Sequence, residues 1–217
     1  MSYKLFRPLE AGEKIVIGGD PADGGRDYCA AQAYSLRHRD FAMVFHARME
    51  ATQFGHELYK MGLYIKKMTQ EAPLIAPERN TGMGTIYVLQ EYNYPNLFRM
   101  PTLGDAITNE EDNKIGWMTN HTTRMLAIDS LAVALRQKAI KIYDIDTVKE
   151  LMTFVVGPNG KPQAANGAYD DLVMSMAIAL KAAEMSPKVR VTTREEMAAK
   201  MALFPQIQRD PFTDTPE

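Results

Sequence analysis

The sequence has little cysteine, no long apolar stretch and no strong excess of one charge, and each shortage excludes a class of protein. Its 217 residues include a single cysteine, Cys29, so neither an intrachain disulfide nor a cysteine-based zinc site is available. No apolar run approaches the roughly 18 residues of a membrane span. The N-terminal segment lacks the apolar core of a signal peptide, which predicts an intracellular protein with no membrane partner.

The formal net charge is close to neutral, at −2. The chain is therefore not basic overall, although a local basic groove can coexist with an acidic catalytic cluster. Hydrophobic residues make up 46% and charged residues 24% of the sequence, which is ordinary for a globular domain. This length suits one large domain with a tail.

The first part of the chain predicts a three-stranded antiparallel meander. A β-branched run, Ile15–Ile17, leads into Gly18 and Gly19, which is typical of a strand buried on both faces. Residues 28–36 and 41–49 predict two more strands, and the short polar link between them favours antiparallel pairing.

The later patterns predict helices and further strands, and hence a mixed α/β sheet. Apolar residues recur at helical spacing from Phe54 to Ile65 and predict a helix. The apolar segments Leu74–Ala76 and Leu97–Met100 predict a fourth and a fifth strand. Further elements are expected as helices over 85–92, from Thr122 or Thr123, from Asp144 or Asp146 and from Tyr169, with a loop over 104–118 and a hairpin at 157–160. Residues 1–186 are predicted to form one domain, and 187–217 a short helix and a tail.

Acidic residues fall at three places where an α/β sheet positions a site. Asp20 ends the central strand, Glu78 follows the fourth strand, and Asp170-Asp171 open the last main helix. If the first and fourth strands are parallel neighbours, Asp20 and Glu78 emerge at the same sheet edge, where ligands bind. Each acid alone is also typical of a turn, a loop or a helix N-terminus. The three places taken together predict one shared site.

A cluster of carboxylates favours divalent cations. Burying such groups unpaired costs several kcal/mol, on the order of the penalty for a buried ion, and Mg²⁺ and Mn²⁺ prefer oxygen ligands. Two such ions, about 4 Å apart, can activate a water and stabilise the leaving oxygen of a phosphodiester. The pattern therefore predicts hydrolysis without a nucleophilic side chain.

Four segments carry a family resemblance. They are GGDPADGGRDY at 18–28, PERNTG at 77–82, the stretch from Gly116-Trp117 to Arg124, and KPQAANGAYDDLVM at 161–174. In this order and spacing, over about residues 13–184, they resemble the nuclease domain of a tailed-bacteriophage terminase large subunit. The last segment is the most specific, because an aromatic residue followed by Asp-Asp-Leu-Val at a helix start is similar to the closing signature of that family.

The resemblance implies an RNase H-like fold, in which three antiparallel strands are followed by parallel strands. It also implies two Mg²⁺ or Mn²⁺ ions and cleavage of double-stranded DNA during genome packaging, in the cytoplasm of an infected bacterial host. The implied partners are a terminase ATPase domain, a small terminase subunit and the portal of the procapsid. The implied site residues are Asp20, Glu78 and Asp171 as metal ligands, Asp170 as a helper or second-metal ligand, Asp27 as an auxiliary acid, and Arg124 as a phosphate contact.

Two departures from the family pattern and three alternatives stand beside this resemblance. Tyr169 occupies a position where histidine is frequent in relatives, and no Gly-x-x-x-x-Gly-Lys-Ser/Thr phosphate loop occurs, so ATP hydrolysis is not assigned to this chain. The alternatives are another RNase H-like nuclease such as a junction resolvase, an actin-like nucleotide-binding fragment, and a non-catalytic DNA-binding or capsid-assembly module. An acid at all three places favours a nuclease.

Overall fold

A computed structural model describes residues 3–22, 27–100, 114–157 and 160–186. The elements in these ranges are β1 (Tyr3–Leu5), β2 (Ile15–Asp20), β3 (Tyr28–Ser35), β4 (Asp40–Arg48), α1 (Ala51–Thr69), β5 (Leu74–Pro77), α2 (Met83–Glu91), α3 (His121–Arg136), α4 (Ile145–Thr153), β6 (Phe154–Val156), β7 (Pro162–Ala164) and α5 (Asp171–Met185). None of the helices described is both long and apolar enough to cross a bilayer. The short helix and tail predicted over 187–217, and most of the loop predicted over 104–118, lie outside the described residues.

Five strands form one mixed sheet in the order β1-β4-β3-β2-β5. Strands β2, β3 and β4 pair as an antiparallel meander, and β5 lies parallel to β2 with Gly19 opposite Pro77. This topology, with helices against the sheet, confirms the predicted fold class and the parallel pairing of the first and fourth predicted strands. No pattern predicts β1, because the three residues that pair with the edge of β4 are too few to show a period.

Two predictions about the later elements are wrong in detail. Leu97–Met100 make isolated bridges to Ile75 and to Ile115 instead of a continuous strand. The last helix begins at Asp171, two residues beyond the predicted start at Tyr169. The predicted hairpin is confirmed, since β6 and β7 pair antiparallel around the turn.

Helix α3 begins one residue before the predicted caps. Its N-cap is Asn120 rather than Thr122 or Thr123, and His121 is its first residue. The Asn120 side chain accepts the Thr123 amide at 3.0 Å, and the Thr123 hydroxyl accepts the Asn120 amide at 2.8 Å. This capping box satisfies two amides at once. Helix α4 is capped by Asp144, one of the two predicted residues.

The side chains of β2 alternate between two layers of helices. Ile15 and Ile17 pack into a core with residues of α1 such as Leu58, whereas Val16 packs with residues of α5 such as Met176. Helix α2 lies against α1, and α3 and α4 lie against α5. The strand is therefore buried on both faces, as its β-branched run predicts.

The layers approach each other most closely at Gly18. A Cβ on Gly18 would lie 2.1 Å from the carbonyl oxygen of Ser175 and 2.5 Å from the amide nitrogen of Ala179, both in the backbone of α5. At Gly19, on the opposite face, the nearest atom to an added Cβ is Leu58 Cδ1 at 3.2 Å. Gly18 thus lets the backbone of α5 rest directly on the strand that ends at Asp20.

We expect Gly18→Ala to lower the free energy of unfolding by about 3 kcal/mol or more, at the upper end of overpacking costs, because neither backbone group facing the new methyl can rotate away. Gly19→Ala is the matched control and should cost about 1 kcal/mol or less, since the Leu58 side chain can shift. Urea unfolding of the parent and both variants measures the difference. Equal stability of the two variants would contradict this packing.

Candidate metal centre

Asp20 and Glu78 lie side by side at one end of the sheet. Their strands are parallel neighbours, and the Glu78 amide donates to the carbonyl of Gly19 at 2.7 Å. Because side chains alternate along a strand, Asp20 shares the face of Gly18, against which α5 packs. The same alternation places Glu78 on the face of Ala76, which also packs with α5. Both carboxylates therefore belong to the α5 side of the sheet.

The turn after Glu78 is held in place by the residues that follow it. The Asn80 side chain donates to the Thr119 carbonyl at 2.6 Å and accepts the Thr119 amide at 3.1 Å. The Thr81 hydroxyl lies 3.0 Å from a carboxylate oxygen of Glu78. A Cβ on Gly82 would lie 1.9 Å from the Glu78 carbonyl oxygen, so the chain can turn back here only with glycine. Asn80, Thr81 and Gly82 therefore hold the turn that follows Glu78.

The first turn of α5 brings two more carboxylates to Asp20. Asp170 is the N-cap of the helix and Asp171 is its first residue. Burial raises the pKa of Asp20 well above its usual value, and the charges of Glu78, Asp171 and Asp170 raise it further. Burial, followed by the charge of Asp170, raises the pKa of Asp171 to about 6. The four residues predicted as metal ligands thus lie close together, since the charges of the other three raise the pKa of Asp20.

Asp27 and Arg124, the two auxiliary residues, flank this cluster. Asp27 is exposed, and its charge contributes to the raised pKa of Asp171. Arg124 Nη2 donates to Asp170 Oδ2 at 2.6 Å, and the guanidinium charge opposes the rise in the pKa of Asp20. In this structure Arg124 therefore compensates a carboxylate of the cluster, a contact that sequence patterns do not predict. Its contact with a phosphate stays a prediction.

Sequence patterns also miss two residues that border the cluster of acids, His46 and Glu150. One nitrogen of His46, one oxygen of Glu150 and one oxygen of Asp171 lie within 4.8 Å of one another. His46 is opposite Ala30 on the neighbouring strand, and Ala30 is opposite Asp20, so the register places His46 and Asp20 on the same face. The alternation of β4 could indicate an inward-facing histidine, but only strand register shows which acid lies beside it.

The donor set fits a divalent cation. His46 Nε2 and Asp171 Oδ2 are buried atoms without a hydrogen-bond partner among the described residues, and such atoms are normally satisfied by a protein group, water or ion. Burial raises the pKa of Glu150, which borders the cluster, to about 7. Like Asp20 and Asp171, this acid resists ionisation unless positive charge compensates. Carboxylate oxygens suit Mg²⁺ and Mn²⁺, and the imidazole suits transition metals.

A cavity of about 300 Å³ opens beside Arg124. It lies between the first turn of α3 and the hairpin of β6 and β7, and its lining includes His121, Arg124, Lys161 and Gln163. Among the described residues that line it, none is a carboxylate. The cluster of acids therefore has a neighbouring groove that carries cationic groups.

No family model matches the sequence, and none of the curated proteins matches it either. Solved structures nevertheless share its fold. The large terminase nuclease of the thermophilic phage G20c matches with a TM-score of 0.64 and 14% sequence identity, over 83% of this chain and 88% of that chain. Structures of the same nuclease with bound cobalt and with bound magnesium both match with a TM-score of 0.63.

Two other terminases show the same likeness. The human cytomegalovirus terminase nuclease domain, soaked with manganese, has a TM-score of 0.54 and 13% identity over 83% of this chain and 88% of that chain. The large terminase of a second thermophilic bacteriophage has a TM-score of 0.57 and 12% identity, over 82% of this chain but 41% of that chain. At this identity the likeness concerns the fold.

The mixed sheet between two helix layers, with acids at one end of its central strands, is an RNase H-like α/β fold. Within that class, it is the fold of the large terminase nuclease domains.

We expect Asp171→Asn to stabilise the metal-free protein at neutral pH. The pKa of Asp171 rises from its usual 3.8 to about 6 on folding, so the folded state holds the proton more tightly and stability falls as pH rises between these values. Asparagine removes this loss. The rise of the pKa from 3.8 to about 6 corresponds to about 3 kcal/mol, and solvent screening of this partly exposed side chain reduces the expected gain to about 2 kcal/mol above about pH 6. Below about pH 4 the variant should match the parent.

Urea unfolding in EDTA, at about pH 4 and about pH 7.5, measures this difference. Asp129→Asn changes an exposed carboxylate on α3 and is the matched control, which should follow the parent at both pH values. If Asp171→Asn is no more stable than the parent at neutral pH, the burial of the Asp171 charge beside other acids is not a significant cost.

Proposed function

We propose that this chain is a metal-dependent DNA endonuclease, the nuclease domain of a tailed-phage terminase large subunit. The observation that carries the proposal is the convergence of Asp20, Glu78, Asp170 and Asp171 at one end of the sheet, within the fold of terminase nuclease domains. Acids placed on a strand end and a helix start are held on rigid elements, which favours a preorganised metal site.

In this proposal Asp20, Glu78 and Asp171 hold two Mg²⁺ or Mn²⁺ ions, and Asp170 assists or binds the second ion. When bound, the ions activate a water and stabilise the leaving oxygen of a phosphodiester. The backbones that carry Asp20 and Asp171 are held together by the close packing of β2 and α5 at Gly18. Support for the choice of ions comes from the G20c nuclease with bound magnesium and the cytomegalovirus domain soaked with manganese.

The auxiliary residues adjust charge around this centre. Asp27 adds negative charge near Asp171 and so strengthens the attraction for cations. Arg124 pairs with Asp170 and contacts a DNA phosphate when substrate is bound. This exchange of partners is open to Arg124 because both side chains are partly exposed, at 29% each, so the ion pair is not locked in the interior.

The substrate is double-stranded DNA, and its backbone follows the groove between α3 and the β6–β7 hairpin. The groove carries Arg124, His121 and Lys161 and lies next to the acids. Cationic side chains that replace phosphate counterions make such binding dependent on salt. The hairpin is a poor match for the second phosphate loop that the actin-like alternative requires, since its two short strands pair antiparallel across the turn.

Residues 1–186 form the nuclease domain in this proposal, and 187–217 a C-terminal extension. The domain works with a terminase ATPase domain, a small terminase subunit and the portal of the procapsid, in the cytoplasm of an infected bacterium. These partners deliver the DNA, because a chain with net charge −2 has little general attraction for it. The large terminase of the second thermophilic phage, of which this fold spans 41%, supports a place within a larger protein.

Cleavage of supercoiled plasmid tests the proposal. With Mn²⁺ or Mg²⁺ the parent should nick and linearise the plasmid, and EDTA should abolish the reaction. Asp20→Asn and Asp171→Asn should each lower the rate on the order of 100-fold or more, because loss of a ligand exceeds the 10–100-fold cost of altering an outer-shell partner.

Asp129→Asn, on the exposed face of α3, is the control and should cut like the parent. A folded parent that cuts no DNA with either metal, or Asp20→Asn and Asp171→Asn variants that cut normally, would refute the metal-dependent nuclease. A strong preference for four-way junctions over plasmid would favour the resolvase alternative.

We expect Lys161→Gln to weaken binding of a DNA duplex, measured by fluorescence anisotropy in EDTA over a range of salt concentrations. Removing one phosphate contact should reduce the slope of log K against log salt by about 0.9. Lys67→Gln, at an exposed position of α1 on the other side of the sheet, is the matched control and should leave the slope unchanged. Identical slopes for both variants would exclude the groove as the DNA path.

A further inference from the structure

Glu150, on α4, bonds to the first turn of α5. One of its carboxylate oxygens accepts the amide of Leu172 at 2.8 Å and the amide of Val173 at 3.3 Å. These are the second and third residues of α5, whose amides are normally satisfied by the side chain of the helix's own N-cap residue. The N-cap here is Asp170, and its side chain makes no capping hydrogen bond. Another helix therefore supplies the cap.

Because Glu150 caps the helix, the two acids of α5 are available for other contacts. Asp170 pairs with Arg124, and one oxygen of Asp171 has no hydrogen-bond partner among the described residues. Aspartate is among the residues that cap helices best. Without Glu150, the ordinary acceptor for the two amides would be the carboxylate of the N-cap residue, Asp170.

The position of Glu150 is fixed by buried hydrogen bonds. The Gln32 side chain donates to the Thr147 hydroxyl at 3.1 Å and to the Leu172 carbonyl at 2.9 Å, which ties α4 and α5 to the same residue of β3. The first turn of α4 is capped by Asp144, which accepts the Thr147 amide at 2.9 Å. The approach of α4 to the start of α5 is therefore determined by the core.

A carboxylate at this position is costly by itself. Burial, together with the charges of Asp171 and Asp170, raises the pKa of Glu150, while the two amide hydrogen bonds lower it. Packing alone would be served better by an apolar side chain of similar size. The acid is therefore explained by the hydrogen bonds that it accepts.

We propose that Glu150 is a positioning residue, which caps α5 in place of its N-cap Asp170 and so leaves the carboxylates of Asp170 and Asp171 to bind divalent cations. The inference rests on the proposed function, because it takes these two acids as metal ligands. Glu150 acts through the helix and not by contact with the reacting phosphate.

Three substitutions distinguish the contribution of the capping oxygen of Glu150 from those of its charge and its side-chain volume. Glu150→Gln keeps an acceptor oxygen without the charge, Glu150→Asp keeps the charge but shortens the side chain, and Glu150→Met keeps the volume alone. We expect the affinity for Mn²⁺, measured by isothermal titration calorimetry, to fall on the order of 10-fold in Glu150→Asp and Glu150→Met. In Glu150→Gln it should stay within about 3-fold of the parent, a smaller change than loss of an outer-shell partner causes.

Equal Mn²⁺ affinity in the parent and all three variants would overturn the proposal. So would loss in Glu150→Gln as large as in Glu150→Met, because an acceptor oxygen would then be insufficient. Retained affinity in Glu150→Asp with loss in Glu150→Gln would assign the effect to charge and would also overturn it.

Crystal structures of the metal-free parent, Glu150→Asp and Glu150→Met provide a second readout that needs neither metal nor cleavage. In at least one variant, a carboxylate of Asp170 or Asp171 should lie within hydrogen-bond distance of the Leu172 or Val173 amide. If both carboxylates keep their parent positions in each variant that folds, the positioning role is wrong. If this movement occurs but the parent binds no Mn²⁺, the positioning role stands and the proposed nuclease function fails.

Discussion

Carboxylates that repel one another are held together at one end of the sheet, and this repulsion is the constraint on which the surrounding structure depends. Burial and neighbouring charges raise the pKa of both Asp20 and Asp171, so the folded protein disfavours their ionised forms. Arg124 compensates one acid of the cluster, and the Thr81 hydroxyl lies beside Glu78. The remaining negative charge is what a divalent cation would neutralise, which links the stability of the cluster to its chemistry.

The cluster also requires a scaffold that does not yield to this repulsion. Helix α5 lies in backbone contact with β2 at Gly18, and close-packed backbones cannot slide apart without losing the core around them. Gln32 bonds both to the Leu172 carbonyl at the start of α5 and to α4. Asp171 is therefore held near Asp20 by interactions that involve neither carboxylate.

The division of roles around the site follows from the two helix layers. Helices α3, α4 and α5 share one side of the sheet, and they contribute Arg124, Glu150 and the paired acids, while α1 and α2 complete the core on the other side. Terminase nuclease domains share this fold at 12–15% sequence identity. Most side chains can therefore differ while the strand order and the helix layers remain, as expected when volume and patterning determine the fold.

The sequence by itself determined the strands of the meander, the mixed α/β class and the acids at strand and helix ends, because periodicity and short motifs are local properties of the chain. Three features were not predicted from the sequence. The edge strand β1 and the irregular pairing of Leu97–Met100 depend on partners distant in the chain, and the cap at Asn120 depends on a choice between adjacent residues. Only the tertiary structure placed His46 in register with Asp20 across the sheet and the Glu150 carboxylate within hydrogen-bond distance of the first amides of α5. Strand register and the packing of one helix on another decided both, and neither leaves a signal in residue spacing.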